Sequence, residues 1–233
     1  MRFFQFIAAG AALASTVAAA AVDTKLVARD DSPFTDLGLS DSFWGTADNY
    51  CRNGIPSKRD LSRLEARDQS PPSGYNNVAP GTYRGDFGAL NQNGDWTNFL
   101  VTCHGVVIIG ENSNPINKDK YMAHFFATNA AMDDLWNTLS ADVASQSLTN
   151  MQAWLSVPDS SSPPSGLNSA DMLTVENKMI DLLQTLTGQA PTVRHHNAGD
   201  ASAKKDQIGT MQLDFSNKAV SIDGNSVPFG SSE

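Results

Sequence analysis

The sequence predicts an α+β domain in which helices cover the faces of a β-sandwich-type arrangement. Three observations carry this. Strand-length apolar runs rich in β-branched residues dominate 76–127. Two stretches of helical spacing follow, at 129–143 and 170–187, with an alternating segment between them. Three short strand-like segments then close the chain, and no repeat period is visible.

The first twenty residues read as an address. Met1-Arg2 is a short positive start, Phe3 to Ala14 is apolar, and Ala18-Ala19-Ala20 supplies small residues for cleavage. This is the pattern of a secretory signal peptide over 1–20. The apolar run is too short to span a bilayer, and no later segment approaches about 18 consecutive apolar residues. The expectation is a soluble, secreted, extracellular protein that does not engage membrane.

Residues 21–73 are rich in Asp, Ser, Gly, Pro and Arg with weak periodicity, and read as a disordered leader or pro-segment. Within it, Lys58-Arg59 resembles a dibasic processing site at 58–59. A single α+β domain is expected over 74–233. Scattered Val, Tyr and Phe in 76–90 suggest strand. Trp96 to Ile109 is a continuous apolar, β-branched run suited to one buried strand. Gly110 to Lys120 is turn-like, and Tyr121 to Ala127 is a second run, so the two should pair as an antiparallel hairpin.

Met132, Leu135, Trp136, Leu139 and Val143 share one helical face, with Thr128 or Asn129 as N-cap. Met151, Ala153, Leu155 and Val157 alternate as in a strand, and a Ser/Pro loop leads to a second helix stopped by Gly188. Thr192–Asn197, Ile208–Phe215 and Lys218–Ile222 are the closing strands, the last two joined at Ser216-Asn217.

Composition narrows the function. Lys and Arg number 16 against 25 Asp and Glu, a net charge of −9. That excludes a phosphate-backbone binder, which needs a basic face, so no nucleic acid is expected. Two cysteines are too few for a disulfide-scaffold miniprotein. No Asn-x-Ser/Thr sequon occurs.

Two readings of the cysteines stay open. Cys51 and Cys103 could form one structural disulfide, as the oxidising secretory compartment favours. Alternatively, removal of the leader would leave Cys103 alone, and a lone thiol in an exported domain calls for a reactive role. If the hairpin turns near Pro115, His124 faces about position 106, within reach of Cys103. A histidine near a thiol favours the nucleophilic thiolate. Taken alone, His124 reads better as a satisfied core histidine among Met122, Phe125 and Phe126. His104 should point to the opposite strand face. His195-His196 is a weak metal hint without a third ligand, and an exposed strand fits it better.

Leu100-Val101-Thr102-Cys103, a β-rich run, a turn and then Met122-Ala123-His124 resemble the Cys-His core of the CheD-type receptor deamidases and the cytotoxic-necrotizing-factor type toxins. The resemblance covers roughly residues 95–223 and extends to the order of the later elements. It implies a β-sandwich flanked by helices and a cysteine-dependent protein glutamine deamidase, in the role of toxin or effector. Cys103 would be the nucleophile, His124 the base and Thr97 the residue that orients the histidine. The partner would be a protein glutamine side chain; no metal or organic cofactor is implied. If an amine replaced water, the outcome would be transglutamination.

This chain departs from the family pattern in having Thr102 where glycine usually precedes the cysteine. A straight strand would also hold Thr97 roughly 20 Å from Cys103. Either the chain bends between Asn98 and Thr102, or Thr97 is not the orienter. The alternative from another class is a non-catalytic secreted binding or structural protein with a Cys51–Cys103 disulfide.

Overall fold

A computed structural model describes residues 32–53, 70–87, 92–196 and 209–231. The signal segment 1–20 and the dibasic pair at 58–59 lie outside the described residues. The domain is mixed α and β, with two five-stranded sheets and three helices among the described residues.

The first sheet has the order β1 (Tyr75–Asn77), β3 (Gly94–Thr97), β8 (Met211–Asp214), β9 (Val220–Ile222), β10 (Asn225–Ser226). The second has the order β2 (Thr82–Asp86), β5 (Lys120–Phe125), β4 (His104–Glu111), β6 (Thr149–Pro158), β7 (Thr192–His196). Pairing is antiparallel except for β1 with β3 and β6 with β7.

Strands β4 and β5 are buried on both faces, which is why their sequences read as continuous apolar runs rather than alternating ones, and β6 is buried from Ala153 to Pro158. On one face Val106, Ile108, Tyr121, Ala123, Phe125, Ala153 and Leu155 pack against helices. On the other, Val107, Ile109, Met122 and Trp154 meet Met211, Leu213, Val220 and Ile222 of the first sheet. The result is three layers, sheet on sheet on helix, which matches the sandwich-with-helices expectation at this level.

Helix α2 (Asn129–Ser145) presents Met132, Leu135, Trp136, Leu139 and Val143 to the core, the five residues picked out by their spacing. Thr128 is its N-cap residue, but its side chain makes no capping bond; Asn129 Oδ1 accepts from the Ala130 N–H instead. Helix α3 (Ser169–Thr187) starts at Asn168, whose side chain accepts from the Asp171 N–H. It ends at Gly188, with φ +79°. That left-handed conformation is cheap for glycine and lets its N–H close on the Gln184 carbonyl.

Two expectations need correction. The run 96–109 is not one strand. It divides into β3 and β4, which belong to different sheets, and 98–103 carries the chain across the sandwich. Nor is the leader without structure where it is described. Helix α1 (Asp41–Asn53) buries Phe43, Trp44, Ala47, Tyr50 and Cys51. The Ser40 hydroxyl caps it by accepting from the Phe43 N–H. Just before it, Phe34 is fully buried, and Asp133 of α2 accepts from the N–H groups of Phe34 and Thr35 and from the Thr35 hydroxyl. Polar composition hid a helix whose apolar residues fall on one side.

Candidate active site

The segment 98–103 decides the geometry. Phe99 adopts φ +64°, an uncommon conformation for a bulky residue, held by its surroundings. The Val101 N–H closes a tight turn on the Phe99 carbonyl, and the Leu100 N–H donates to the Gly209 carbonyl. The chain thus bends between Asn98 and Thr102. The bend is made at Phe99, so residue 102 does not need glycine. Thr102 instead donates from Oγ1 to the Ala47 carbonyl of α1 at 2.6 Å.

The bend returns Cys103 to the side from which Thr97 departs. Cys103, Val107 and Ile109 all belong to the core between the sheets. On β5, Met122 shares that core, and His124 has the same parity. In register, His124 pairs with Gly105, one residue from the position expected of the hairpin. Gly105 gives room there: a Cβ would come within 2.8 Å of a Leu100 methyl and 2.9 Å of the Met211 sulfur, and these side-chain ends would have to shift. His104, as expected, lies on the opposite face, where it lines a small cleft with Phe43, Trp44, Met172 and Val175.

Thr97 Oγ1 donates to the Val78 carbonyl at 2.8 Å and lies 2.7 Å from His124 Nδ1. A hydroxyl has one proton. With that proton on the Val78 carbonyl, Oγ1 accepts from Nδ1–H, and both contacts are satisfied. This places the imidazole proton on Nδ1 and the free lone pair on Nε2. His124 is fully buried, and Nε2 has no hydrogen-bond partner among the described residues.

Cys103 is bonded to Cys51 of α1, with Cα atoms 5.1 Å apart, inside the normal disulfide range. The two sulfurs and a ring nitrogen of His124 all lie within 4.8 Å of one another. All three residues singled out from the sequence, Cys103, His124 and Thr97, therefore converge on one point between the sheets, although they come from the 98–103 bend, β5 and β3. The partner that sequence reasoning did not place there is α1. Its signal was Ser40 followed by Phe43, Trp44, Ala47, Tyr50 and Cys51 at helical spacing.

Burial pushes the His124 imidazole down to about 3, helped by nearby His104. Burial alone lowers His104 to about 4. His196, which faces the Ser156 hydroxyl at 2.9 Å, is lowered to about 3, again chiefly by burial. All three imidazoles are neutral at neutral pH. The exposed-strand reading of His195-His196 holds for half of the pair: His195 is partly exposed beside Glu176, whereas His196 is buried.

A neutral, oriented imidazole beside a sulfur can accept a thiol proton and later return it. In the oxidised state it has no thiol to act on. Comparison with known proteins finds no matching family model and no matching curated protein.

Proposed function

We propose that this chain is a secreted, latent, cysteine-dependent protein glutamine deamidase of the CheD-like kind, stored with its nucleophile capped by Cys51. One observation carries the reading: Thr97 holds His124 by Nδ1 at 2.7 Å and leaves Nε2 bare, while a ring nitrogen of His124 lies within 4.8 Å of the Cys103 sulfur. A structural disulfide alone does not call for an imidazole held in one orientation beside it.

The chemistry follows from these groups. Reduction of Cys51–Cys103 gives two thiols. His124 Nε2 takes the Cys103 proton, and the thiolate attacks the side-chain amide carbon of a glutamine. The imidazolium returns its proton to the leaving nitrogen as the C–N bond breaks and ammonia departs. His124 then takes a proton from water, which attacks the thioester and releases glutamate and the Cys103 thiol. Thr97 stays bonded to Nδ1 throughout and keeps Nε2 aimed at the reacting atoms.

Helix α1 adds a second barrier. Cys103 is fully buried, and the Thr102–Ala47 bond ties α1 across it. A protein substrate reaches the sulfur only when α1 moves, and admitted water would then lift the desolvation that suppresses His124. An exported effector that enters a reducing cytosol meets the conditions for opening.

The test is ammonia release from a panel of glutamine-containing proteins, with and without a dithiol reductant. Activity is expected only after reduction and only with Cys103 intact. Equal release from Cys103→Ser, whose hydroxyl is far less nucleophilic, refutes the reading. A second reading rests on the disulfide itself: the bond and the full burial of both cysteines suit a non-catalytic secreted binding protein. Its signature is no ammonia release under any redox condition, together with strong destabilisation on reduction.

A further inference from the structure

We infer that the reduced protein holds a soft divalent cation, Zn²⁺ foremost, between the Cys51 and Cys103 thiolates and His124 Nε2. The inference goes beyond the deamidase reading and does not depend on it.

The donor set is suited to the ion. Three side chains from three separate parts of the fold, α1, the 98–103 bend and β5, bring their donor atoms within 4.8 Å of one another. Two thiolates and one imidazole form a combination that zinc takes in tetrahedral sites, with sulfur at about 2.3 Å and nitrogen at about 2.0–2.1 Å. The Cα separation of 5.1 Å lets both sulfurs turn toward a common point once the bond between them is broken.

The imidazole is prepared for the role. Metal-bound histidines generally donate their other ring N–H to a fixed acceptor. Here Nδ1 meets Thr97 Oγ1, itself locked by the Val78 carbonyl, while Nε2 is buried and unpartnered. Charge balance also favours the ion, since one divalent cation with two thiolates is neutral and can stay buried. Three protein donors leave the fourth position of a tetrahedral ion to water or another small donor.

The redox and proton balance is simple. A dithiol reductant gives two electrons and two protons to the disulfide and leaves as its own cyclic disulfide. Binding of Zn²⁺ then displaces both thiol protons to the buffer. The oxidised protein offers no thiolate and should not bind. The bound ion would occupy Cys103, so it would keep α1 fastened after the covalent bond is gone and would protect the thiols from reoxidation.

The experiment uses the full chain. Oxidised protein, and protein reduced with a phosphine under argon, are each titrated with Co²⁺ and then Zn²⁺. The expected result is one Co²⁺ per reduced chain, with thiolate-to-cobalt charge-transfer absorption. Zn²⁺ should displace it, and the oxidised chain should give no signal. Calorimetry in buffers of different ionisation enthalpy should show two protons released per ion. Cys51→Ser should abolish the charge-transfer band of a two-thiolate site. His124→Gln and Thr97→Val should weaken binding, the latter roughly 10- to 100-fold as for other groups behind a metal ligand. Circular dichroism checks each variant's fold, and alkylation of the reduced wild type gives the same loss without substitution.

Equal Zn²⁺ affinity in reduced wild type, Cys51→Ser and alkylated protein would overturn the site, as would a stoichiometry other than one. Ammonia release is a separate readout. A reduced chain that binds the ion but hydrolyses no amide keeps this inference and removes the deamidase. One that hydrolyses amides but binds no ion does the reverse.

Discussion

Replacing Cys51 with alanine tests the link between α1 and the rest of the fold. The disulfide joins residues 52 apart in sequence. In the chain-entropy description, closing a loop of that length removes about 14 cal/mol/K from the unfolded ensemble, or about 4 kcal/mol at 25 °C. For a domain of this size that corresponds to a Tm lower by roughly 8–16 °C. The loss of a buried sulfur adds to it, because Cys51 is almost fully covered by Ala47, Leu100 and their neighbours in the core between the sheets. Urea unfolding of Cys51→Ala is compared with that of wild type, oxidised and reduced. The reduced wild type isolates the cross-link from the side chain, so it should fall between the other two. The slope of the transition matters as well. If α1 detaches before the sheets unfold, the variant shows a lower slope or two transitions. A loss below about 1 kcal/mol with an unchanged slope would refute the reasoning. It would mean that the bond does not restrict the unfolded chain as the loop length implies, or that α1 contributes little once tethered.

Three further outcomes are expected. Thr97→Val should leave the fold intact yet lower kcat for ammonia release by about 10- to 100-fold and change its pH profile, while Thr97→Ser restores both; an unchanged profile would reduce Thr97 to a packing residue. Asp95→Asn should make stability rise more steeply with pH between about 4 and neutrality. Burial first, then the Asp86 carboxylate, raise the Asp95 carboxyl in the folded state, against Asn76 and Arg84. At Asp95 the folded chain therefore binds the extra proton, so this carboxyl contributes a fall in stability as pH rises from about 4 toward neutrality; the buried His104, His124 and His196 contribute a larger rise, and the neutral amide removes only the fall. Urea midpoints across this window decide it, and a slope identical to that of wild type contradicts the assignment. Gly94→Ala should cost at least about 2 kcal/mol by thermal unfolding, because a Cβ there would run into the Leu213 carbonyl across the β3–β8 pair and into Tyr75. A near-neutral result would show that β3 and β8 are not so close.

Much of the local structure was legible in the chain because each element carries its own periodicity. The five buried residues of α2 repeat at helical spacing, Gly188 marks the end of α3, and the turn after Ile109 separates two runs that pair almost at the expected register. The residues of the site were legible too, Cys103 and His124 from the hairpin that brings them together and Thr97 through the family resemblance. The convergence of all three was not. In one straight strand Thr97 and Cys103 stand far apart; a left-handed Phe99 and its neighbours' bonds to distant backbone divide the run between two sheets. No local rule assigns that conformation to phenylalanine, since only the packed surroundings hold it there. The state of Cys103 was equally undecided. Composition made 21–73 look unstructured, because α1 gains its stability from the Thr102 contact and the core beneath it rather than from its own sequence, and Asp133 fixes the segment just before it. Once α1 docks, Cys51 is brought to Cys103, and the choice between a free thiol and a disulfide is made by tertiary contact.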